Sequence, residues 1–79
     1  MIIMSKPLSE EALKFIIGRL VENAYDAVIE SENDRSDLFR QGRRLAYYEM
    51  LDILKSELDL REQDLAELGL NIDLEHEIA

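Results

Sequence analysis

Glu49 and Asp52 are the two carboxylates in this sequence whose spacing comes nearest to that of metal ligands. They are three residues apart, so a helix would carry both side chains on one side. Carboxylate oxygens are the ligands that Mg²⁺ prefers in proteins. The pair therefore supports one interpretation of the chain as a small metal-dependent hydrolase.

In this respect the pair resembles the metal-binding carboxylates of all-α nucleotide pyrophosphohydrolases. The resemblance implies a second carboxylate pair on a facing helix. The preceding helix offers Glu22 and Asp26, but antiparallel packing would place these acids near arginines. The Glu-Glu-x-x-Glu element of that family is absent. We therefore predict no catalytic residue, no bound metal and no cofactor, and we keep the nucleotide hydrolase as the alternative.

Glu49 is also unusual because it falls among the apolar residues of its predicted helix. A buried carboxylate without a partner is costly. We expect Glu49 to pair with Lys14 or Arg19, or to lie at the edge of a seam between two copies of the chain.

Arginine residues are concentrated in one short stretch and offer a second kind of chemistry. Four of the nine basic residues fall within ten positions, at Arg35, Arg40, Arg43 and Arg44. With Tyr47 and Tyr48 available for stacking, the Arg40–Arg44 face suits contacts with phosphates or RNA. The competing interpretation is that these arginines pair with acids of the preceding helix, such as Glu30. We favour the intramolecular pairing and keep nucleic-acid binding as an alternative.

The segment Gln63–Asn71 resembles the opening helix and turn of a helix-turn-helix DNA-binding unit. Its Leu-Ala pair and its glycine are one residue closer together than is usual in that motif. The recognition helix would then span residues 71–79, which hold three acids and no Lys or Arg. Because phosphate contacts and base readout need hydrogen-bond donors, we do not expect this segment to bind DNA.

Other residues that commonly carry catalysis are scarce. The chain has no Cys and one histidine, His76, which lies in an acidic stretch. Disulfides and thiolate zinc sites are therefore excluded, and no nucleophile–base pair stands out. We predict a protein that is not an enzyme.

The net charge of −9 belongs almost entirely to the C-terminal part of the chain. Residues 57–79 hold eight acids and one base, whereas residues 1–56 hold ten acids and eight bases. An acidic surface repels phosphate backbones, which again disfavours nucleic acid as a partner. The acidic segment is either a docking element for a basic, apolar groove or a solvated edge.

No apolar run approaches the roughly 20 residues that a membrane-spanning helix needs. The residues Met1–Pro7 also lack the long apolar region of a signal peptide. We therefore expect a soluble, cytoplasmic protein with no membrane partner.

The apolar residues recur at steps of three and four, which predicts an all-α fold with a long helix over about residues 9–30. Ser9 is its expected N-cap, with Glu10 and Glu11 in the first turn and Pro7 at the entrance. After a break at residues 31–34, a second helix is predicted over about 35–58. Asn33, Asp34 or Ser36 are its possible N-caps.

A short third helix is predicted over about residues 60–68, because Asp59 and Glu62 have the spacing of a capping box. Gly69 is expected to adopt the left-handed conformation that ends a helix, with Leu70 packing back on the last turn. The acidic tail 70–79 fits an extended segment, a helix or a disordered end about equally well.

The short break between the long helices predicts an antiparallel hairpin. A turn centred near residues 32–33 would place Ala24 opposite Gly42, and Gly18 opposite Tyr47. Since a glycine inside a helix costs about 1 kcal/mol relative to Ala, close helix crossing would explain the two glycines. The predicted small residues of that crossing are Gly18, Ala24, Gly42 and Ala46.

Each long helix carries more apolar surface than one neighbour covers, and such surface usually marks an interface. The surplus is predicted on one side of each helix, at Val21, Tyr25, Ile29, Tyr47, Leu51 and Leu58. Two hairpins packed face to face form a four-helix bundle, and a two-fold dimer is the commonest assembly. A monomeric three-helix core is the alternative. We predict a single-domain interaction module, a regulator or adaptor, that forms a homodimer and binds a protein partner.

Overall fold

The computed structural model of the chain describes residues 8–79. They form two long helices, α1 (Glu10–Asn33) and α2 (Leu38–Leu60), and a short helix, α3 (Leu74–Glu77). The helices α1 and α2 pack against each other, and α3 packs on α2. The predicted all-α hairpin is therefore confirmed, and a short third helix is present, although at Leu74–Glu77 and not at the predicted residues 60–68. The predictions for Met1–Pro7 lie outside the described residues.

Helix α1 begins where the sequence predicts and ends later. Ser9 is the N-cap, and its side chain accepts a hydrogen bond from the amide of Ala12 at 3.0 Å. The predicted end near residue 30 is wrong, because Ser31 is fully buried inside the helix. Its hydroxyl donates to the carbonyl oxygen of Val28 at 2.8 Å, so this buried polar group is hydrogen-bonded within the helix.

Helix α2 begins after a tight turn that is held by Asp34. One carboxylate oxygen of Asp34 accepts hydrogen bonds from both the amide and the hydroxyl of Ser36, which lowers the pKa of that carboxyl. The N-cap of α2 is Asp37, which accepts from the amides of the second and third residues after it. None of the three predicted caps is correct, because Asn33 lies inside α1, and Asp34 and Ser36 bond to each other.

The later turn also moves the register of the hairpin. Ser31 contacts Gln41 and Arg44, and Glu30 contacts Arg43. The predicted register would have placed Ser31 and Glu30 beside the turn. Ala24 is instead buried in the core cluster that contains Leu51.

The helix predicted over residues 60–68 is not present, because α2 continues through its proposed cap. Asp59 lies inside α2, and Glu62 has a left-handed φ of 60°. A single turn follows, in which the Asp64 carboxylate accepts from the amides of the second and third residues after it. Gly69 has a φ of 79°, and the amide of Leu70 bonds back to the carbonyl oxygen of Leu65 at 2.8 Å. The left-handed conformation predicted for Gly69 is therefore confirmed, but it ends a turn and not the predicted helix.

The C-terminal segment, defined here as residues 62–79, folds back over one side of the hairpin. Four of its apolar side chains are buried in the core, at Leu68, Leu70, Leu74 and Ile78. They pack with Ile17 and Ala24 of α1 and Leu51 of α2. The helical interpretation of the acidic tail is thus correct for Leu74–Glu77, whose N-cap is Asp73. Its apolar residues lie in the core while its acids face solvent.

Candidate interaction surface

The side of the hairpin predicted to face a second copy is covered by the C-terminal segment. Leu51 is fully buried. Half-buried side chains surround it, at Val21, Tyr25, Tyr47 and Leu58. Ile29 is the exception and is exposed. Within one chain, this apolar side is therefore mostly core, which corrects the prediction that it is surplus.

Two tyrosines join this side of the hairpin to α3. The hydroxyl of Tyr48 donates to a carboxylate oxygen of Glu75 at 2.6 Å, and the hydroxyl of Tyr25 donates to Glu77. Hydrogen bonding to a carboxylate favours the neutral tyrosine. It raises the pKa of Tyr48 to about 12 and also raises the pKa of Tyr25.

Arg44 is the cation that connects all three parts of the fold. Its Nη1 donates to the Ser31 hydroxyl at 2.9 Å, and its Nε donates to the Ile78 carbonyl oxygen at 2.6 Å. Lys55 makes a similar contact, since its Nζ donates to the Ile72 carbonyl oxygen at 2.6 Å. These cations hold backbone oxygens of the C-terminal segment.

The neighbouring arginines also form contacts within the chain. Arg43 pairs with Glu30 at 2.8 Å and lies over the ring of Tyr47, with its guanidinium carbon 5.5 Å from the ring centroid. Arg40 pairs with Asp37 at 3.3 Å. These ion pairs support the intramolecular interpretation of the arginine cluster over a phosphate-binding one.

The structure does not join Glu49 and Asp52 in one site. Both residues are exposed, and residues 8–79 contain no group of three or more His, Cys, Asp or Glu residues that could hold a metal ion. Asp52 lines a shallow cavity of about 310 Å³ with Lys55 and Asp59, and Glu49 is not part of its lining. Lys14 is a predicted partner of Glu49, but its Nζ lies 3.8 Å from a carboxylate oxygen of Glu67 instead.

A large apolar surface lies on the opposite side of α2. We call it the outer face. All of its residues are exposed, and they are Leu38, Phe39, Gly42, Leu45, Ala46, Glu49, Met50, Ile53 and Leu60. The exposed fractions are 83% for Leu38, 77% for Phe39 and 64% for Ile53. No apolar side chain on the covered side of α2 is both as large and as exposed as these.

The position of the outer face follows from the helix period. At about 100° per residue, residues 42, 49, 53 and 60 project away from the buried Leu51. A helix of 23 residues is about 34 Å long at 1.5 Å per residue. Since the outer face includes residues near both ends of α2, it extends along almost the whole helix.

The four residues predicted for a close helix crossing separate in the structure. Ala24 is fully buried in the core. Gly18, Gly42 and Ala46 are exposed. Apart from the adjoining residues and the local helix backbone, no atom of the described residues lies within 4 Å of a Cβ placed on either glycine. Packing within one chain therefore does not require glycine at positions 18 and 42, contrary to the prediction.

The sequence had placed Gly42 and Ala46 of the outer face in the contact between the two long helices. The side chain that distinguishes the two sides is Glu49, which lies in the middle of that apolar row. A charged residue is rarely fully buried unless it is paired. Glu49 therefore marks the row that faces outward.

The chain matches no family model, no curated protein and no solved structure. Within residues 8–79, neither long helix has a stretch apolar enough to cross a membrane. The interpretation of this surface therefore depends on its own chemistry.

Proposed function

We propose that this chain is a non-enzymatic interaction module, a small regulator or adaptor, that self-associates through the outer face of α2. The observation that carries the proposal is the row of exposed large apolar side chains along that helix. The core of the described residues is complete without these side chains, because the C-terminal segment covers the other side of the hairpin. Their exposure thus gives the folded monomer no packing benefit.

Contact between water and such an apolar face is energetically unfavourable. Full burial of a Leu, Ile or Phe side chain is worth about 1.5–3 kcal/mol, and contiguous apolar patches beyond a few hundred Å² usually mark binding sites. Leu38, Phe39 and Ile53 together present most of their apolar surface to solvent. A second helix laid along this face would remove that surface from water in both copies.

The test is a charged substitution in the outer face, with the solution mass as the readout. We expect the wild-type chain of 9.2 kDa to show twice that mass by light scattering as its concentration rises. Ile53→Glu places a charge in the seam and should weaken the association at least tenfold, which corresponds to about 1.4 kcal/mol.

The matched control is Phe15→Glu, because Phe15 is 68% exposed on α1 and lies outside the outer face. It should leave the association unchanged, and circular dichroism should show full helix content in both variants. A wild-type chain that stays monomeric at millimolar concentration contradicts the proposal. Equal weakening by Phe15→Glu would also contradict it.

A further inference from the structure

We infer that the helix laid on the outer face is α2 of a second copy, running antiparallel about a two-fold axis. This inference rests on the proposed self-association and adds its partner helix, direction and register. It follows from the charge distribution along α2, from the heptad spacing of the outer face and from the open space at Gly42.

The charge of α2 changes sign between its two halves. Residues 38–48 hold three arginines and no acid, whereas residues 49–60 hold four acids and one lysine. A parallel pair would place like charges together along the whole helix. Arg40 and Arg44 project toward the covered side of α2 and are held by contacts within the chain, so Arg43 is the arginine that borders the outer face. An antiparallel pair places Arg43 of each copy toward the acidic half of the other copy's α2, and it also opposes the two helix dipoles favourably.

The outer face has the spacing of a coiled-coil seam. Phe39, Ala46, Ile53 and Leu60 are seven residues apart. Gly42 and Glu49 form the interleaved row, which the exposed Ser56 continues beyond the outer face. In an antiparallel coiled coil, the residues of one row pack against the interleaved row of the partner. The register that matches large side chains with small ones places Ile53 against Gly42 of the second copy, and Phe39 against Ser56.

This register explains why residue 42 is a glycine, which packing within the single chain does not explain. A glycine in a helix interior costs about 1 kcal/mol relative to Ala, and the structure leaves the space beside Gly42 open. The Ile53 side chain of the second copy would fill that space. Glu49 then falls beside Ala46 of the second copy, and the Glu49 carboxylates of the two copies approach each other near the two-fold axis. Their repulsion lowers the stability of the dimer, and a polar residue at a seam position specifies its register.

The direction of the pairing is measurable by spin labels, because the chain has no native cysteine. One label is attached through Leu60→Cys and, in a separate sample, through Leu38→Cys, at opposite ends of the outer face. For two helices 8–10 Å apart with a rise of 1.5 Å per residue, the proposed register predicts about 38 Å between labels at position 60 and about 30 Å at position 38. A parallel pair predicts about 10 Å for both.

The measured distances distinguish a failure of the antiparallel register from a failure of the proposed self-association. Two long distances in a dimer, with the longer one at position 60, support the antiparallel register. A dimer with two short distances overturns the inference while leaving self-association intact. A longer distance at position 38 overturns the register. If no distance is measured because the chain remains monomeric at millimolar concentration, both proposals fail.

The contact between Ile53 and Gly42 is tested by a double-mutant cycle on the dissociation constant. Gly42→Leu alone should weaken the dimer about tenfold or more, because the space is already filled by Ile53 of the other copy. Adding Ile53→Ala should recover most of that loss. The control Gly18→Leu, on α1, should leave the dissociation constant unchanged. A tighter dimer with Gly42→Leu alone overturns the proposed contact.

Discussion

The hydroxyl of Tyr48 makes the chain sensitive to alkaline pH at a defined place. It donates to Glu75 of α3, and a tyrosinate would be repelled by the same carboxylate. The pKa of Tyr48 is therefore raised to about 12 in the folded chain, against about 10 in an unfolded one. A raised pKa contributes stability that is fully present below about pH 10 and is lost as the pH rises through about 12.

We expect the ionisation of Tyr48 in the folded protein to require a pH near 12. Ultraviolet absorbance of tyrosinate should show a final step near pH 12 in the wild type and no such step in Tyr48→Phe. Glu75→Gln keeps an acceptor but removes the charge, and it should move that step to lower pH. A wild-type titration that is complete by pH 11 would show that the contact with Glu75 is absent in solution.

At the scale of the elements, helix periodicity was enough to predict α1 and α2, but the local signals at their ends were not decisive. Ser31 suits a turn by composition, yet its buried hydroxyl bonds to the backbone within α1 and to Arg44. Asp59 suits an N-cap, yet α2 continues past it to Leu60. For Ser31, a contact with a residue distant in sequence outweighed the local preference for a turn. For Asp59, the length of the apolar face of α2 outweighed the local preference for an N-cap.

The two glycines at positions 18 and 69 should respond oppositely to the same substitution. Gly18 lies inside α1 with open space around its Cβ position, so Gly18→Ala should raise the free energy of unfolding by about 0.5–1 kcal/mol. Gly69 has a φ of 79°, and Gly69→Ala should lower it by about 1–2 kcal/mol because Ala is strained there.

Urea denaturation followed by circular dichroism would measure both changes, at a protein concentration below that of self-association. The absence of any loss in Gly69→Ala would mean that the turn at residues 64–70 relaxes at little cost. A loss in Gly18→Ala would mean that position 18 has a packing neighbour beyond the described residues.

At the scale of the whole molecule, the sequence predicted a surplus of apolar surface but placed it on the wrong side of α2. The C-terminal segment determines which side of α2 is covered, because its apolar residues pack against Leu51 and its neighbours. Its acids had left two interpretations open, a docking element for a basic, apolar groove or a solvated edge. The spacing of Leu70, Leu74 and Ile78 was the sign that it packs, and only the assembled fold shows against which face.

The C-terminal segment should therefore contribute a large part of the stability of the fold. Leu70 is fully buried, and Leu70→Ala removes its contacts with the hairpin, so we expect a loss of about 2–5 kcal/mol in the free energy of unfolding. Leu8→Ala is the matched control, because Leu8 is 61% exposed and a surface change of this kind is worth about 0.5 kcal/mol or less. Urea denaturation gives both values. Equal losses would show that the segment does not pack on the hairpin in solution, and the side around Val21 and Tyr25 would then be open, as the sequence alone had predicted.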